Sequence, residues 1–265
     1  LVDHLEYYVQ RGIRYFNFVD EMIPAGRYRK ISEEIIKRGL QIYHYSLAKP
    51  TADFTKETFE LMYKAGCRYI IWGVESGCPR ILDLIDKGTN VRDIAKVLEY
   101  SASAGIKNHT FIIVGFPSET KQELEETLSF LYENRKNIHA IHNGPFILHE
   151  NTPIFSNLAK YHIARAYTER YPEILRFQAN RIEYDVTDGL SSMDAERYNL
   201  FYEKNFFDNF NYYSGIIRAL RNHALYIYAN EDKLIFNKIR KPIVNPLELR
   251  EQSEMLSAAC SSESA

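Results

Sequence analysis

Residues 65–77 read AGCRYIIWGVESG, and this stretch decides the fold. Tyr69 to Val74 form an almost continuous apolar run, which predicts a strand over 68–76 that is buried on both faces, as in a parallel sheet. Glu75 ends this strand between two glycines, where a carboxylate is costly unless something binds it. The stretch alone leaves two interpretations open, a carboxylate that caps a loop or one that contacts a ligand.

Units of similar size surround this strand. Glycines at 12, 39 and 66 lie 27 residues apart, each where a helix is expected to end. The pattern predicts strands over 14–20, 40–47, 107–116 and 140–148, and helices over 28–38, 56–65 and 91–104. Asn90 is the expected cap of the helix at 91, and Thr120 and Glu123 have capping-box spacing for another helix. Strands alternating with helices predict a parallel α/β sheet or a partial (β/α) barrel of the TIM type, with its ligand site at the carboxyl ends of the strands.

Beyond Asn151 this alternation stops. Ser191 and Asp194 have capping spacing for a helix over 193–210, and a further helix is predicted over 214–229. The many Tyr and Phe residues here are expected to pack onto the barrel or a partner rather than to stack on a ligand. The sequence therefore predicts a partial barrel over 1–153, a helical, aromatic-rich C-terminal extension over 154–252 and a disordered tail over 253–265.

The overall composition is that of an ordinary globular protein. The chain has 265 residues, of which 45% are hydrophobic and 26% charged, with a net charge of -2. This net charge does not indicate binding to nucleic acid or to an anionic membrane. No apolar stretch reaches the roughly 18–20 residues of a membrane span. Three cysteines, an odd number without framework spacing, indicate a reducing compartment, so the cytoplasm is expected. The expected partner is a small-molecule or peptide substrate.

The cysteines offer no shared site. Cys67 and Cys78 lie at opposite ends of the predicted strand, about 30 Å apart if the chain is extended. They can therefore share neither a disulfide nor a metal, and Cys260 belongs to the tail.

The histidines do not combine into a metal site either. His139, His142 and His149, with Glu150, have the composition of a metal cluster, but alternation places His139 and His142 on opposite faces of their strand. We therefore assign no metal ligands. His44 and His109 are strand residues, expected to be core or barrel-lining imidazoles.

Three acids fall at strand ends, namely Asp20, Glu21 and Glu75. Adjacent residues of a strand point to opposite faces, so only one of Asp20 and Glu21 can point into the mouth of a barrel.

Three segments together resemble the core of the radical S-adenosylmethionine (SAM) enzymes. They are residues 65–77, then Ile81-Leu82-Asp83 with Lys87-Gly88-Thr89, and then 113–120, which read IVGFPSET. The resemblance is strongest to the group that usually carries an N-terminal cobalamin-binding domain, and it covers about residues 1–153.

This resemblance implies a partial barrel made of the family's strands two to six. In the family a [4Fe-4S] cluster, reduced by a protein such as flavodoxin or ferredoxin, cleaves SAM to a 5′-deoxyadenosyl radical. Cobalamin, where present, carries a methyl group. The resemblance thus implies radical chemistry or methyl transfer on an unknown substrate.

The resemblance also implies roles for individual residues. Asp20 and Glu21 match the strand end that holds the methionyl amino group, and Ser46 matches a polar residue near SAM. Glu75 and Ser76 match the position near the ribose and the carboxylate. The remaining two positions, Ile113 and Gly115, match the backbone that lies against the adenine.

The sequence departs from the family in one respect. The family's cluster is held by three cysteines spaced C-x-x-x-C-x-x-C, and no such triplet occurs here. The first strand here corresponds to the family's second. We therefore expect this chain to be the C-terminal part of a longer enzyme and to be inactive alone.

Two other interpretations remain open at this point. One is a barrel enzyme that uses Asp20, Glu21 and Glu75 for acid–base or divalent-metal chemistry. The other is a non-catalytic barrel module.

Overall fold

The structure is a computed structural model that describes residues 1–20, 22–168, 182–210, 221–231 and 242–253. Its main feature is a sheet of five parallel strands, whose order β1-β2-β3-β4-β5 is also their order in the chain. The strands are β1 Tyr15–Phe18, β2 Tyr43–Ala48, β3 Cys67–Glu75, β4 Lys107–Val114 and β5 Ala140–Pro145. The predicted parallel α/β sheet is confirmed, and in the described part of the chain it is open rather than closed into a complete barrel.

Helices precede and connect these strands. They are α1 Val2–Val9, α2 Ala25–Lys37, α3 Lys56–Lys64, α4 Pro79–Leu84, α5 Val91–Ser103 and α6 Lys121–Glu133. Asn90 caps α5 by accepting a bond from the Asp93 amide, and Thr120 and Glu123 form the predicted capping box of α6. The stop glycines at 12, 39 and 66 all adopt positive φ, as helix-ending glycines do. Local signals therefore set most of the helix ends.

The described part of the C-terminal region contains two more helices, α7 Ser192–Asn205 and α8 Arg221–Ala229. The helix predicted over 193–210 ends early, at Asn205, and a 3-10 turn follows at Phe207–Phe210. Phe206, Phe207 and Phe210 are all fully buried. The tighter turn therefore places three aromatic rings of this short segment in the core.

Among its described residues the same region also contains two strands that the sequence analysis did not predict. β6 Ile163–Tyr167 and β7 Glu183–Val186 form an antiparallel pair, and a 3-10 turn at Phe155–Tyr161 precedes them. Residues 214–220 of the second predicted helix lie outside the described residues. The predicted disordered tail also lies outside them, apart from Ser253, which is buried.

The two faces of the sheet are covered in different ways. Helices α2, α3, α5 and α6 bury one face, where Ile70, Trp72 and Val74 of β3 belong to the main core. On the opposite face α8 covers the amino-terminal half of the strands, and its Leu225 and Tyr228 pack there. The sheet residues in this second cluster are Tyr45, Tyr69 and Ile71.

One edge of the sheet carries exposed apolar side chains. β1 is an edge strand, which pairs only with β2 among the described residues. Tyr15 is 39% exposed and Val19, just beyond the strand, is 78% exposed. None of the described helices is long and apolar enough to cross a lipid bilayer.

A buried polar cluster connects β2 to α2. The Tyr28 hydroxyl lies 2.9 Å from Ser46 Oγ and 3.3 Å from His44 Nδ1, and all three residues are fully buried. The His44 ring stacks on Phe18 with 4.4 Å between ring centroids, and its Nε2 has no hydrogen-bond partner in the described chain. Burial, together with the charge of Arg68, lowers the pKa of His44 to about 3, so this imidazole is neutral in the folded protein.

This histidine should make the protein sensitive to acid. Since its folded pKa lies below the value of 6.5 expected in the unfolded chain, the unfolded state binds more protons between pH 6.5 and 3. The contribution to stability is complete above pH 6.5 and decreases, by about 1.4 kcal/mol per pH unit, as the pH falls through this window. Urea unfolding at several pH values between 6.5 and 4.5 gives the free energy of unfolding as a function of pH. In His44→Phe, which keeps a ring on Phe18, this free energy should depend less steeply on pH, by the equivalent of about one bound proton. Equal slopes for the two proteins would contradict a neutral, buried His44.

Candidate functional site

The candidate site begins where β3 leaves the sheet. Gly73 pairs with Phe111 of β4, but Glu75 pairs with Ile112, so two residues of β3 oppose one residue of β4. Such a bulge redirects the side chain that follows it. Glu75 has φ 65°, a left-handed conformation that a non-glycine residue adopts at a cost of about 1–3 kcal/mol. The end of β3 therefore holds its carboxylate in a strained position.

A lysine keeps this carboxylate in place. Lys87 Nζ donates to Glu75 Oε1 over 2.7 Å, and both side chains are less than one-fifth exposed. A Cβ atom at Gly73 would lie 2.7 Å from Glu75 Oε1 and 2.9 Å from Lys87 Nζ. Because Gly73 has no side chain, the Glu75–Lys87 ion pair can lie directly over the strand.

The end of β4 forms a second constrained turn. Gly115 has φ 71°, and its N–H donates to Glu119 Oε2 over 2.6 Å. The Glu119 amide donates to the Phe116 carbonyl over 2.7 Å, which closes a four-residue turn with Pro117 second and Ser118 third. Ser118 also has φ 71°, as the third residue of a type II turn requires.

Arg80 of α4 fixes this turn from outside. Its guanidinium donates to Ser118 Oγ over 3.0 Å and to the Ser118 carbonyl over 2.8 Å. The same guanidinium pairs with Glu123 of α6. This pairing, with the Thr120 bonds of the capping box, lowers the pKa of Glu123 to about 2. Arg80 therefore joins the loops that follow β3 and β4.

Helix α7 packs directly on the same turn. A Cβ atom at Gly115 would lie 2.1 Å from the Cβ of Ala195, and one at Gly189 would lie 2.5 Å from the Ser118 carbonyl carbon. The Leu190 amide donates to the Glu119 carbonyl over 2.8 Å. The region beyond residue 153 thus takes part in building this end of the sheet.

The structure places four of the predicted site residues at the carboxyl ends of the strands, on the same end of the sheet. Asp20 is exposed just beyond β1, Glu75 ends β3, and Ile113 and Gly115 lie at the end of β4. Glu21 lies outside the described residues. Because the strands run parallel, their carboxyl ends all lie at this end of the sheet.

The two predicted serines have their hydroxyl groups engaged within the protein. Ser46 is fully buried and its hydroxyl lies against Tyr28, as described above. Ser76 is also fully buried; its Oγ lies 3.0 Å from Thr127 Oγ1 of α6 and accepts a bond from the Cys78 amide. The structure thus connects both hydroxyls to neighbouring protein groups.

The described residues do not fit an iron–sulfur cluster. Cys67 is buried beside Tyr28, and burial raises the pKa of its thiol to about 12. Burial likewise raises the pKa of the Cys78 thiol to about 11. Within the described ranges no three His, Cys, Asp or Glu side chains come together as a metal site would require. Two thiols at opposite ends of β3 cannot together supply the three ligands of a cluster.

The strand histidines take part in two separate sets of contacts. His139 Nδ1 accepts a bond from the Asn108 amide over 3.1 Å. His142 Nε2 lies 3.4 Å from His109 Nδ1, and His109 Nε2 lies 2.9 Å from the Tyr228 hydroxyl of α8.

Comparison with known proteins identifies the family. The model of the radical SAM superfamily matches residues 1–131. These residues belong to the radical SAM superfamily. The resemblance carried by the segments at 65–77, 81–89 and 113–120 is thereby confirmed. The members of this superfamily are enzymes.

Curated relatives match about half of the chain. An uncharacterized methyltransferase of Pyrococcus horikoshii is 30% identical over 129 residues, which are 48% of this chain and 27% of that protein. The anaerobic magnesium-protoporphyrin IX monomethyl ester cyclase of Cereibacter sphaeroides is 30% identical over 139 residues, which are 50% of this chain and 23% of the cyclase. The matches thus span about a quarter of each relative's length.

Solved structures extend the likeness of fold into the C-terminal region. The cobalamin-dependent SAM radical enzyme OxsB, with aqua-cobalamin bound, aligns with a TM-score of 0.59 at 18% identity, over 87% of this chain and 40% of OxsB. The radical SAM methyltransferase TsrM of Kitasatospora setae, with cobalamin and a [4Fe-4S] cluster bound, aligns with a TM-score of 0.55 at 18% identity, over 74% of this chain and 39% of TsrM. Both proteins belong to the cobalamin-using group that the sequence motifs predicted.

Sequence reasoning missed some residues that build the site. Lys87 and Glu119 both lie inside the quoted motifs, but a strand-and-helix pattern does not show that each turns back onto a strand end. Arg80 and Ala195 carried no signal, because their contacts with 115–119 join segments that are far apart in the chain.

The contact at Gly115 can be tested by substitution. Gly115→Ala should lower the free energy of unfolding by about 2–5 kcal/mol, because alanine disfavours the left-handed backbone and its methyl group would collide with Ala195. Gly144→Ala in β5 is the matched control, since a Cβ there meets no atom within 4 Å and its φ is not positive. It should change stability by less than about 1 kcal/mol in urea unfolding. Similar losses for the two variants would contradict the packing of α7 on this turn.

Proposed function

We propose that the carboxyl ends of β1 to β4 bind SAM, and that the chain is part of a radical SAM enzyme of the cobalamin-dependent group. The family match over residues 1–131 and the fold shared with OxsB and TsrM support this proposal. Asp20 and Glu75 would supply carboxylates for the ammonium and the ribose hydroxyls of SAM, and the strand-end backbone at 113–115 would lie against the adenine.

The observation that carries the proposal is the Glu75–Lys87 pair. A carboxylate in a left-handed conformation, held over a glycine by an ammonium, is the kind of strain that clusters at ligand-binding sites. SAM carries hydroxyl, ammonium and carboxylate groups. Its binding could exchange the internal ion pair for bonds from Glu75 to hydroxyls and from Lys87 to a carboxylate.

The reaction of the whole protein is a further part of the proposal. A [4Fe-4S] cluster supplies one-electron cleavage of SAM in this superfamily, and its three cysteine ligands would have to come from sequence outside these 265 residues. We propose radical generation or cobalamin-mediated methyl transfer on a small-molecule or peptide substrate, with a flavodoxin or ferredoxin as reductant. On this view the chain alone binds SAM but does not turn it over. The free thiols of Cys67 and Cys78 support a cytoplasmic location.

Binding of SAM to the chain tests the proposal. Glu75→Gln should raise the dissociation constant of SAM by about tenfold, because it removes the charge from hydrogen bonds that are worth about 1.5–3 kcal/mol when charged. Isothermal titration calorimetry or equilibrium dialysis measures this constant directly, without any need for turnover.

The matched control is Glu99→Gln, on an exposed position of α5. It removes the same charge from the protein and should leave SAM affinity unchanged. Thermal unfolding should show that both variants are folded at the assay temperature. The proposal fails if the wild-type chain does not bind SAM, or if the two variants bind it equally well.

A further inference from the structure

Lys49 follows β2 directly, at the carboxyl end of the sheet. Its side chain is only partly exposed, and among the described residues its ammonium has no hydrogen bond and no ion pair. The other cations nearby differ in this respect. Lys87, in the loop before α5, pairs with Glu75, and Arg80 of α4 pairs with a glutamate of α6. Lys49 therefore carries a charge at the strand ends that the described protein does not balance.

The backbone around Lys49 is held in place. Its carbonyl accepts a bond from the Thr51 amide over 3.0 Å, which closes a tight turn around Pro50. The Pro50 carbonyl accepts a bond from Thr89 Oγ1 over 2.6 Å, so the loop after β2 is joined to the loop before α5. A Cβ atom at Gly88, in that second loop, would lie 3.2 Å from Lys49 Nζ. The ammonium therefore lies close to the Gly88 backbone, in space that a side chain at position 88 would restrict.

Lys49 belongs to the face of the sheet on which α8 packs. Leu47 of β2 packs against the apolar cluster on that face, and alternation along the chain places Lys49, two residues later, on the same side. Phe111 of β4 also packs against this cluster. Both apolar side chains remain partly exposed. An ammonium and accessible apolar surface therefore share this face of the sheet.

We propose that Lys49 binds an acidic group of the substrate, a carboxylate or a phosphate that is joined to an apolar body. This inference rests on the proposed function and names the class of substrate for the same site. An anion would balance an ammonium that the fold has partly removed from water, and Leu47 and Phe111 would contact the apolar body. SAM has a single carboxylate, which the proposed function gives to Lys87, so Lys49 is left for a second anion.

The test measures the binding of benzoate and of phenyl phosphate to the chain in the presence of saturating SAM, by calorimetry or by ligand-observed NMR. Both probes join an anionic group to an apolar ring, and benzyl alcohol is a neutral probe of similar shape. Lys49→Met keeps an apolar stem but removes the charge. It should raise the dissociation constant of the anion that binds more tightly by about tenfold, because a charge-assisted hydrogen bond is lost. The affinity for benzyl alcohol should not change.

Two further variants separate the charge from the shape of the side chain. Lys96→Met, at an exposed position of α5, removes the same charge elsewhere and should leave the affinities for all three probes unchanged. Lys49→Arg retains a cation and should keep the dissociation constant of the anion within about threefold of the wild-type value. Thermal unfolding should show that every variant is folded at the assay temperature. A lysine with only a structural role would not distinguish the anions from the neutral probe.

The same titrations show which part of the argument fails. Failure of both anions to bind the wild-type chain, or equal anion affinities in wild type and Lys49→Met, would overturn the role of Lys49; if Glu75→Gln still weakens SAM binding, the proposed function stays intact. A loss of SAM affinity in Lys49→Met as large as the loss in Glu75→Gln would assign this lysine to the carboxylate of SAM and would also overturn the inference. Failure of the wild-type chain to bind SAM would overturn the proposed function, and this inference with it.

Discussion

The structure depends on the burial of β3 on both of its faces. Trp72 points into the helix-covered core, and Ile71 points to the face covered by α8. Such a strand can carry polar groups only where each has a partner. The Trp72 indole N–H, for example, donates to Asn108, whose amide nitrogen donates to the carbonyls of Leu98 and Asn137. A charged group with access to a ligand can therefore lie only where the strand leaves this layer, which is at Glu75.

The segment between β3 and α5 acts as a support for two strained positions. Glu75 and Ser118 are non-glycine residues with positive φ, and each is held by a cation from this segment, Lys87 for Glu75 and Arg80 for Ser118. Strained backbone persists only where its surroundings hold it. This role accounts for the extra length of the unit, which contains the short helix α4 between the strand and its crossover helix.

The sequence was sufficient to predict the elements whose signals are local. The strand over 68–76 was placed within one residue at each end, because its apolar run is bounded by glycines, and α5 and α6 follow from their caps at Asn90 and Thr120. The pair β6 and β7 was not predicted, because its strands are short and are separated by a long connection. The same difference between local signals and distant packing applies to the residues of the site. Strand-end positions such as Glu75 could be predicted from the alternation of strands and helices, whereas the contact of Ala195 with Gly115 depends on how distant segments pack.

The strand order of the main sheet also bears on how the chain acquires its fold. Because the order in space repeats the order in the chain, each new strand can be added to the edge that its predecessor has just formed, as residues leave the ribosome. Each pairing within the sheet thus joins neighbouring segments of the chain, although a whole helical crossover must close before each parallel pair forms. The bond from Asn230 to the Tyr15 hydroxyl joins residues 215 positions apart, so α8 can complete its docking only after nearly the whole chain has been synthesised. Synthesis would therefore first produce an open sheet, and the face on which α8 packs would be covered last.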